Sequence, residues 1–155
     1  MKKLVVIGCG WLGQQLFSHF EQLQLLSQWQ WFATRRSLSS LHGLAAKVKP
    51  LAFLGEQDSP DVQACLQDAV WVVAMSPGRD RAAYLASLQQ IVEYAHRWRC
   101  QHLLLCSSTG VYSQLAGNVD ELSPLLVGNE RVAGLLAAER LALSFPRTTV
   151  LRLAG

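Results

Sequence analysis

Gly8-Cys9-Gly10-Trp11-Leu12-Gly13 follows the apolar stretch Leu4–Ile7 and opens a segment with helical spacing. Glycines in G-x-G-x-x-G order at a strand-to-helix junction build a turn whose main chain lies bare. Gly8 permits the tight bend. Gly10 leaves space for a diphosphate against the backbone. Gly13 lets the helix pack closely on the strand. The helix start at Trp11 and Leu12 adds unpaired N–H groups and a partial positive charge. The stretch therefore predicts a βαβ unit that binds a dinucleotide at Gly8, Gly10, Trp11, Leu12 and Gly13.

Moving outward, strand and helix patterns alternate. Leu4–Ile7 reads as the first strand. The first helix carries Leu12, Leu16, Phe17, Phe20 and Leu23 along one face. Trp29–Ala33 reads as the second strand, Ser37–Ala46 as a short helix and Val48–Leu54 as a third strand that contains Pro50. Ser59 before Pro60 has the form of a helix cap. Val70–Met75 is almost wholly apolar, as in a strand covered on both faces. A long helix over 80–98 with Tyr84, Leu88, Ile91, Val92 and Ala95 on its core face precedes a strand over 102–106. Glu130–Leu143 is helical and Thr148–Leu153 is the sixth strand. Repeated β-α-β with right-handed crossovers predicts an α/β, Rossmann-type doubly wound parallel sheet, with helices on both faces.

The bulk numbers agree. The chain has 155 residues, half of them hydrophobic and 16% charged, enough for one domain with a real core over 1–155. The net charge of +3 suits an anionic ligand, and no Lys/Arg run suggests nucleic acid. The apolar stretches are strand-sized, which argues against a membrane span or a signal peptide. Cys9, Cys65, Cys100 and Cys106 lack a secreted disulfide spacing, so reduced thiols and a cytoplasmic location are expected. The chain stops at Gly155, where the sixth strand would deliver its end to the ligand crevice. A fragment or isolated domain, without a C-terminal substrate-binding region, is the expectation.

The strand ends choose the cofactor. An NAD site places Asp or Glu at the end of strand two, against the ribose hydroxyls. Here that end reads Ala33-Thr34-Arg35-Arg36 and holds no carboxylate. A guanidinium instead clamps the 2′-phosphate of NADP through a charge-assisted pair or stacks on adenine. Thr34, Arg35 and Arg36 are therefore assigned to NADP, with NAD the lesser candidate; a solvated basic pair is the plain alternative. Ala74, Met75 and Ser76 end strand four and should pass near the ribose and diphosphate. For Ser76 alone, a simple Pro77-Gly78 turn is the favoured reading.

Cys106-Ser107-Ser108-Thr109-Gly110-Val111-Tyr112 closes the fifth strand. Together with the glycine turn, Thr34-Arg35-Arg36 and Leu151-Arg152-Leu153-Ala154-Gly155, in that order, it resembles the extended short-chain dehydrogenase/reductase superfamily. That group comprises NAD(P)-dependent sugar-nucleotide epimerases and dehydratases. The resemblance implies that Ser108 holds a substrate hydroxyl or carbonyl oxygen. It also implies a proton-exchanging tyrosine in a Tyr-x-x-x-Lys helix, whose lysine binds the nicotinamide ribose and lowers the tyrosine pKa. Without a nearby cation a tyrosine, pKa about 10, is a poor base at neutral pH. Aligning Ala137-Ala138-Glu139 with the family helix puts Leu135 at the lysine and Arg131 at the tyrosine.

No Tyr-x-x-x-Lys occurs in the chain, which resembles the atypical branch that keeps the nucleotide fold and loses the dyad. Three outcomes stay open: NADP binding without turnover, oxyanion stabilisation by Arg131, or proton supply by Tyr112. Tyr112 reads first as an aromatic packed at a sheet end, because no cation stands beside it in sequence. The serines read equally as caps of backbone groups. The resemblance further implies a small-molecule substrate of nucleotide-sugar type and a homodimer. No metal set is evident: His102 and Cys106 share a strand face, but further ligands are missing.

Overall fold

A computed structural model describes residues 1–41, 43–44, 46–55, 59–112 and 117–154. Its strands are β1 (Lys3–Ile7), β2 (Gln30–Arg35), β3 (Val48–Ala52), β4 (Val70–Val73), β5 (His102–Ser108) and β6 (Thr148–Leu153). Its α-helices are α1 (Trp11–Gln22), α2 (Pro60–Leu66), α3 (Arg81–Arg97) and α4 (Glu130–Leu143). The strands form one sheet in the order β3-β2-β1-β4-β5-β6, and every pairing is parallel. This is the predicted Rossmann-type doubly wound sheet.

Side-chain alternation along β1 splits the core between the two faces. Val5 and Ile7 pack with Leu66 of α2, Leu88 and Ile91 of α3 and Ala138 and Ala142 of α4. Val6, with Ala33 and Val72, packs against Phe17 of α1. A strand buried on both faces must be apolar throughout, and Val5, Val6 and Ile7 have no exposed surface. The tryptophans serve both cores. Trp71 and Trp98 meet with ring centres 6.1 Å apart on one face. Trp31 meets Phe17 and Phe20 on the other.

Helix starts follow the sequence closely. Ser59, Asp80 and Asn129 accept from the N–H groups of Val62, Ala83 and Val132 and cap α2, α3 and α4. Strand ends differ from the reading. β2 runs to Arg35 and β5 to Ser108, so the arginine and both serines are strand residues, while β4 stops at Val73. Pairing extends them: Arg35 lies opposite Ala52, and Ser108 opposite Leu153. Pro50 is accommodated because β3 is an edge strand. The helix read over Ser37–Ala46 is reduced to a single 3-10 turn, Leu38–Ser40; residues 42 and 45 of that reading lie outside the described residues. Its serines bond to one another and to nearby carbonyls instead of capping a longer helix. No helix among the described residues is long and apolar enough to cross a membrane.

Candidate functional site

Chain order reverses at β1, which has β2 on one side and β4 on the other. A crevice opens at such a switch point beyond the carboxyl ends of the strands. Here it is a cleft of about 930 Å³ that extends from Arg35 on β2, past the glycine turn, to Ser107 and Ser108 on β5.

The turn is held from below. The N–H groups of Gly8 and Cys9 both donate to the Thr34 carbonyl, at 3.1 and 2.9 Å. Gly8 takes φ +77°, and a Cβ there would stand 2.5 Å from Met75 Cγ. Gly13 lies against Val6 and the Cys9 thiol, where a Cβ would come within 2.9 Å of each. The Cys9 thiol is sealed, and burial pushes its pKa up to about 11 against the opposing pull of Arg35. At Gly10, by contrast, a Cβ would meet only Arg35 Nη2 at 3.4 Å and the Gly8 carbonyl at 3.9 Å. Gly10 is also the N-cap of α1, so no side chain caps that helix, and its first turn has no acidic residue. The helix's leading N–H groups and its positive end therefore face the cleft uncompensated.

Arg35 folds back across this turn. Its Nε donates to the Cys9 carbonyl at 2.7 Å and its Nη1 to the Ser40 carbonyl at 2.9 Å. These bonds fix the guanidinium plane and leave Nη2 beside Gly10 to face a ligand. Of the residues assigned to the cofactor from sequence, Gly8, Gly10, Trp11, Leu12, Arg35, Arg36, Ala74, Met75 and Ser76 line the cleft. Trp11 is 74% exposed at its edge. Gly13 and Thr34 do not line it. They act one layer down, Gly13 in helix packing and Thr34 through its carbonyl.

The assignments at the far end separate. Ser108 lines the cleft, and its Oγ accepts from the Gly110 N–H at 3.1 Å, which leaves its own proton to give. Ser107, also in the lining, donates to Glu139 Oε1 at 2.6 Å, so its lone pairs face outward. Donor and acceptor thus stand side by side at the end of β5. Neither Tyr112 nor Arg131 lines the cleft. Arg131 is exposed at the start of α4, and Leu135 is buried with Val111, Tyr112 and Val132. A cation does stand beside Tyr112, contrary to the sequence reading. Arg152 on β6 donates to its hydroxyl at 3.0 Å and lies over its ring at 5.1 Å. The same guanidinium pairs with Glu139 through Nε at 3.1 Å and Nη2 at 2.7 Å. The bond to Glu139 raises the Arg152 pKa further. The network Ser107–Glu139–Arg152–Tyr112 ties β5, α4 and β6 together and reaches the cleft at Ser107.

Sequence reasoning missed Tyr84, Ser87 and Ser40, which also line the cleft. Tyr84 and Ser87 lie three residues apart on one face of α3, but that stripe reads as core. Among the described residues no cluster of metal-binding side chains forms. His102 bonds to Thr149 Oγ1 at 2.9 Å, and all four cysteines are free thiols.

No protein-family model matches the chain. Protein YeeZ of Escherichia coli K12 is 29% identical over the whole chain, which spans 59% of that relative's length. A conserved protein of unknown function from Silicibacter pomeroyi is 25% identical, with a TM-score of 0.69, covering 100% of this chain and 53% of its own. UDP-glucuronic acid 4-epimerase from Bacillus cereus, in complex with NAD, is 18% identical with a TM-score of 0.73; the match covers 99% of this chain and 56% of that enzyme. The solved structures similar to this chain also include a putative NAD-dependent epimerase/dehydratase and a UDP-galactose 4-epimerase, which share its fold.

Proposed function

We propose that this chain is the nicotinamide-dinucleotide domain of an epimerase- or reductase-like protein, and that it takes NADP in preference to NAD. The single observation that carries the reading is the bare glycine turn. An uncapped helix start, a glycine with free space above it and a fixed guanidinium converge on one point. Backbone N–H groups and a helix's positive end are matched to a diphosphate. The B. cereus epimerase, which shares the fold, holds NAD. The missing carboxylate on β2 and the two arginines favour the 2′-phosphate of NADP. The donor and acceptor at Ser108 and Ser107 suit a hydroxyl group, which gives and receives a hydrogen bond at once, so an alcohol-bearing substrate such as a nucleotide sugar fits that end.

Reversing charge at both Arg35 and Arg36 should weaken NADPH more than NADH, read by calorimetry on each variant. The 2′-phosphate contact is charge-assisted, so a difference of about tenfold or more is expected. Equal weakening of both cofactors would remove the case for NADP. A second reading, binding without turnover, is favoured by Leu135, which puts a buried aliphatic side chain where the resembling family has its lysine. Oxidation of NADPH followed by absorbance against a panel of carbonyl substrates separates the two. Tight binding with no turnover selects the second.

A further inference from the structure

We propose that the Tyr84 hydroxyl is a ligand contact of this cleft, donating a hydrogen bond to a hydroxyl of the second ribose of a bound nicotinamide dinucleotide. The assignment rests on the reading of the cleft given above. Tyr84 lies in the first turn of α3, 8% exposed and packed in the main core. A buried tyrosine ordinarily finds a partner for its O–H. This one bonds to no described residue. It is not sealed either: among the described residues, the only enclosed side-chain polar atom without a partner is Thr34 Oγ1. Tyr84 lines the cleft, which is where a hydroxyl that is neither bonded nor sealed can meet a ligand.

Chemistry and position then narrow the ligand group. Burial, followed by Cys106 and Glu139, pushes the Tyr84 pKa up to about 12, so the group stays protonated and donates. Those neighbours stand on β5 and α4, on the opposite side of the glycine turn from Arg35. Adjacent strands are about 4.8 Å apart, so β5 lies about 10 Å from β1. A dinucleotide with adenosine over β2 and diphosphate on the β1 turn carries its second nucleoside towards β4 and β5. At Leu135, α4 offers that nucleoside no polar group. The neighbouring helix α3, packed on α4, offers Tyr84.

The test is calorimetry on wild type and Tyr84→Phe with NADPH, NADH, 2′,5′-ADP and ADP. The last two lack the second ribose. Phenylalanine keeps the ring in the core and removes only the donor. Loss of one neutral hydrogen bond should weaken NADPH and NADH by about three- to tenfold and leave 2′,5′-ADP and ADP unchanged. Equal loss for both pairs, including loss through misfolding, overturns the assignment, and so does no loss for either. If wild type binds 2′,5′-ADP and gains nothing from the second nucleoside of NADPH, the assignment falls while the cleft reading stands. If wild type binds none of the four, the cleft reading falls and takes the assignment with it.

Discussion

Gly10→Val should abolish binding of NADPH and NADH while the protein melts within about 2 °C of wild type. Gly10 has φ −86° and so is not one of the positive-φ glycines, unlike Gly8. A Cβ there meets nothing closer than Arg35 Nη2 at 3.4 Å. The fold therefore loses little. The two valine methyl groups, however, reach past the Cβ into the space where a diphosphate would approach the α1 N–H groups. They also displace the guanidinium edge that Arg35 presents. A loss of at least about 100-fold in affinity is expected, roughly 3 kcal/mol. Gly8→Ala should fail in the opposite way. Its φ of +77° and a Cβ 2.9 Å from the Met75 backbone Cα strain the main chain itself, so its melting temperature should drop. Calorimetry and thermal denaturation on both variants check the pair. Undiminished NADPH affinity in a folded Gly10→Val protein would falsify the placement of the diphosphate.

Glu139→Ala should lower the melting temperature by about 6–12 °C. The carboxylate is 6% exposed and accepts three hydrogen bonds, one from Ser107 and two from Arg152. Its removal leaves a guanidinium, itself 21% exposed, without a counter-ion. Breaking a buried pair on one side costs about 3–5 kcal/mol, and the low end applies because Arg152 keeps some water. For a domain of this size each kcal/mol moves the midpoint by about 2–4 °C. Adding Arg152→Met to the alanine background should recover part of the loss, because the stranded charge goes with it. If Glu139→Ala melts with wild type, the network is ornamental. The pair also sets the polarity of the cleft. A carboxylate that accepts the Ser107 hydrogen bond leaves that serine only lone pairs to show a ligand.

The fold was legible because its signals are local. Glycine spacing at 8–13, the cap at Ser59, and short apolar runs such as 70–73 each act within one element, and the element order follows. Strand ends were harder to read. Where β2 and β5 stop depends on their neighbours, and no pattern within Thr34-Arg35 or Ser107-Ser108 reports that Ala52 and Leu153 lie opposite. The glycine turn was visible for the same local reason, since Gly8, Gly10 and Gly13 lie within one short stretch. The far end of the cleft was not. Arg152 is 40 residues from Tyr112 and meets it only because β6 pairs with β5. Tyr84 was hidden differently: an aromatic in an apolar stripe satisfies the core pattern whether or not its hydroxyl emerges at the other end.

The sheet order also bears on how the chain reaches its native state. β1 is made first, yet its second neighbour, β4, begins only at Val70. During synthesis, Val5, Val6 and Ile7 have no mate on that edge until more than sixty residues have followed. Pairings of such long sequence separation form slowly, and an unmatched apolar strand is open to association with other nascent chains. Newly made protein should thus be most prone to clumping before β4 emerges, with its earliest segment as the sticky one.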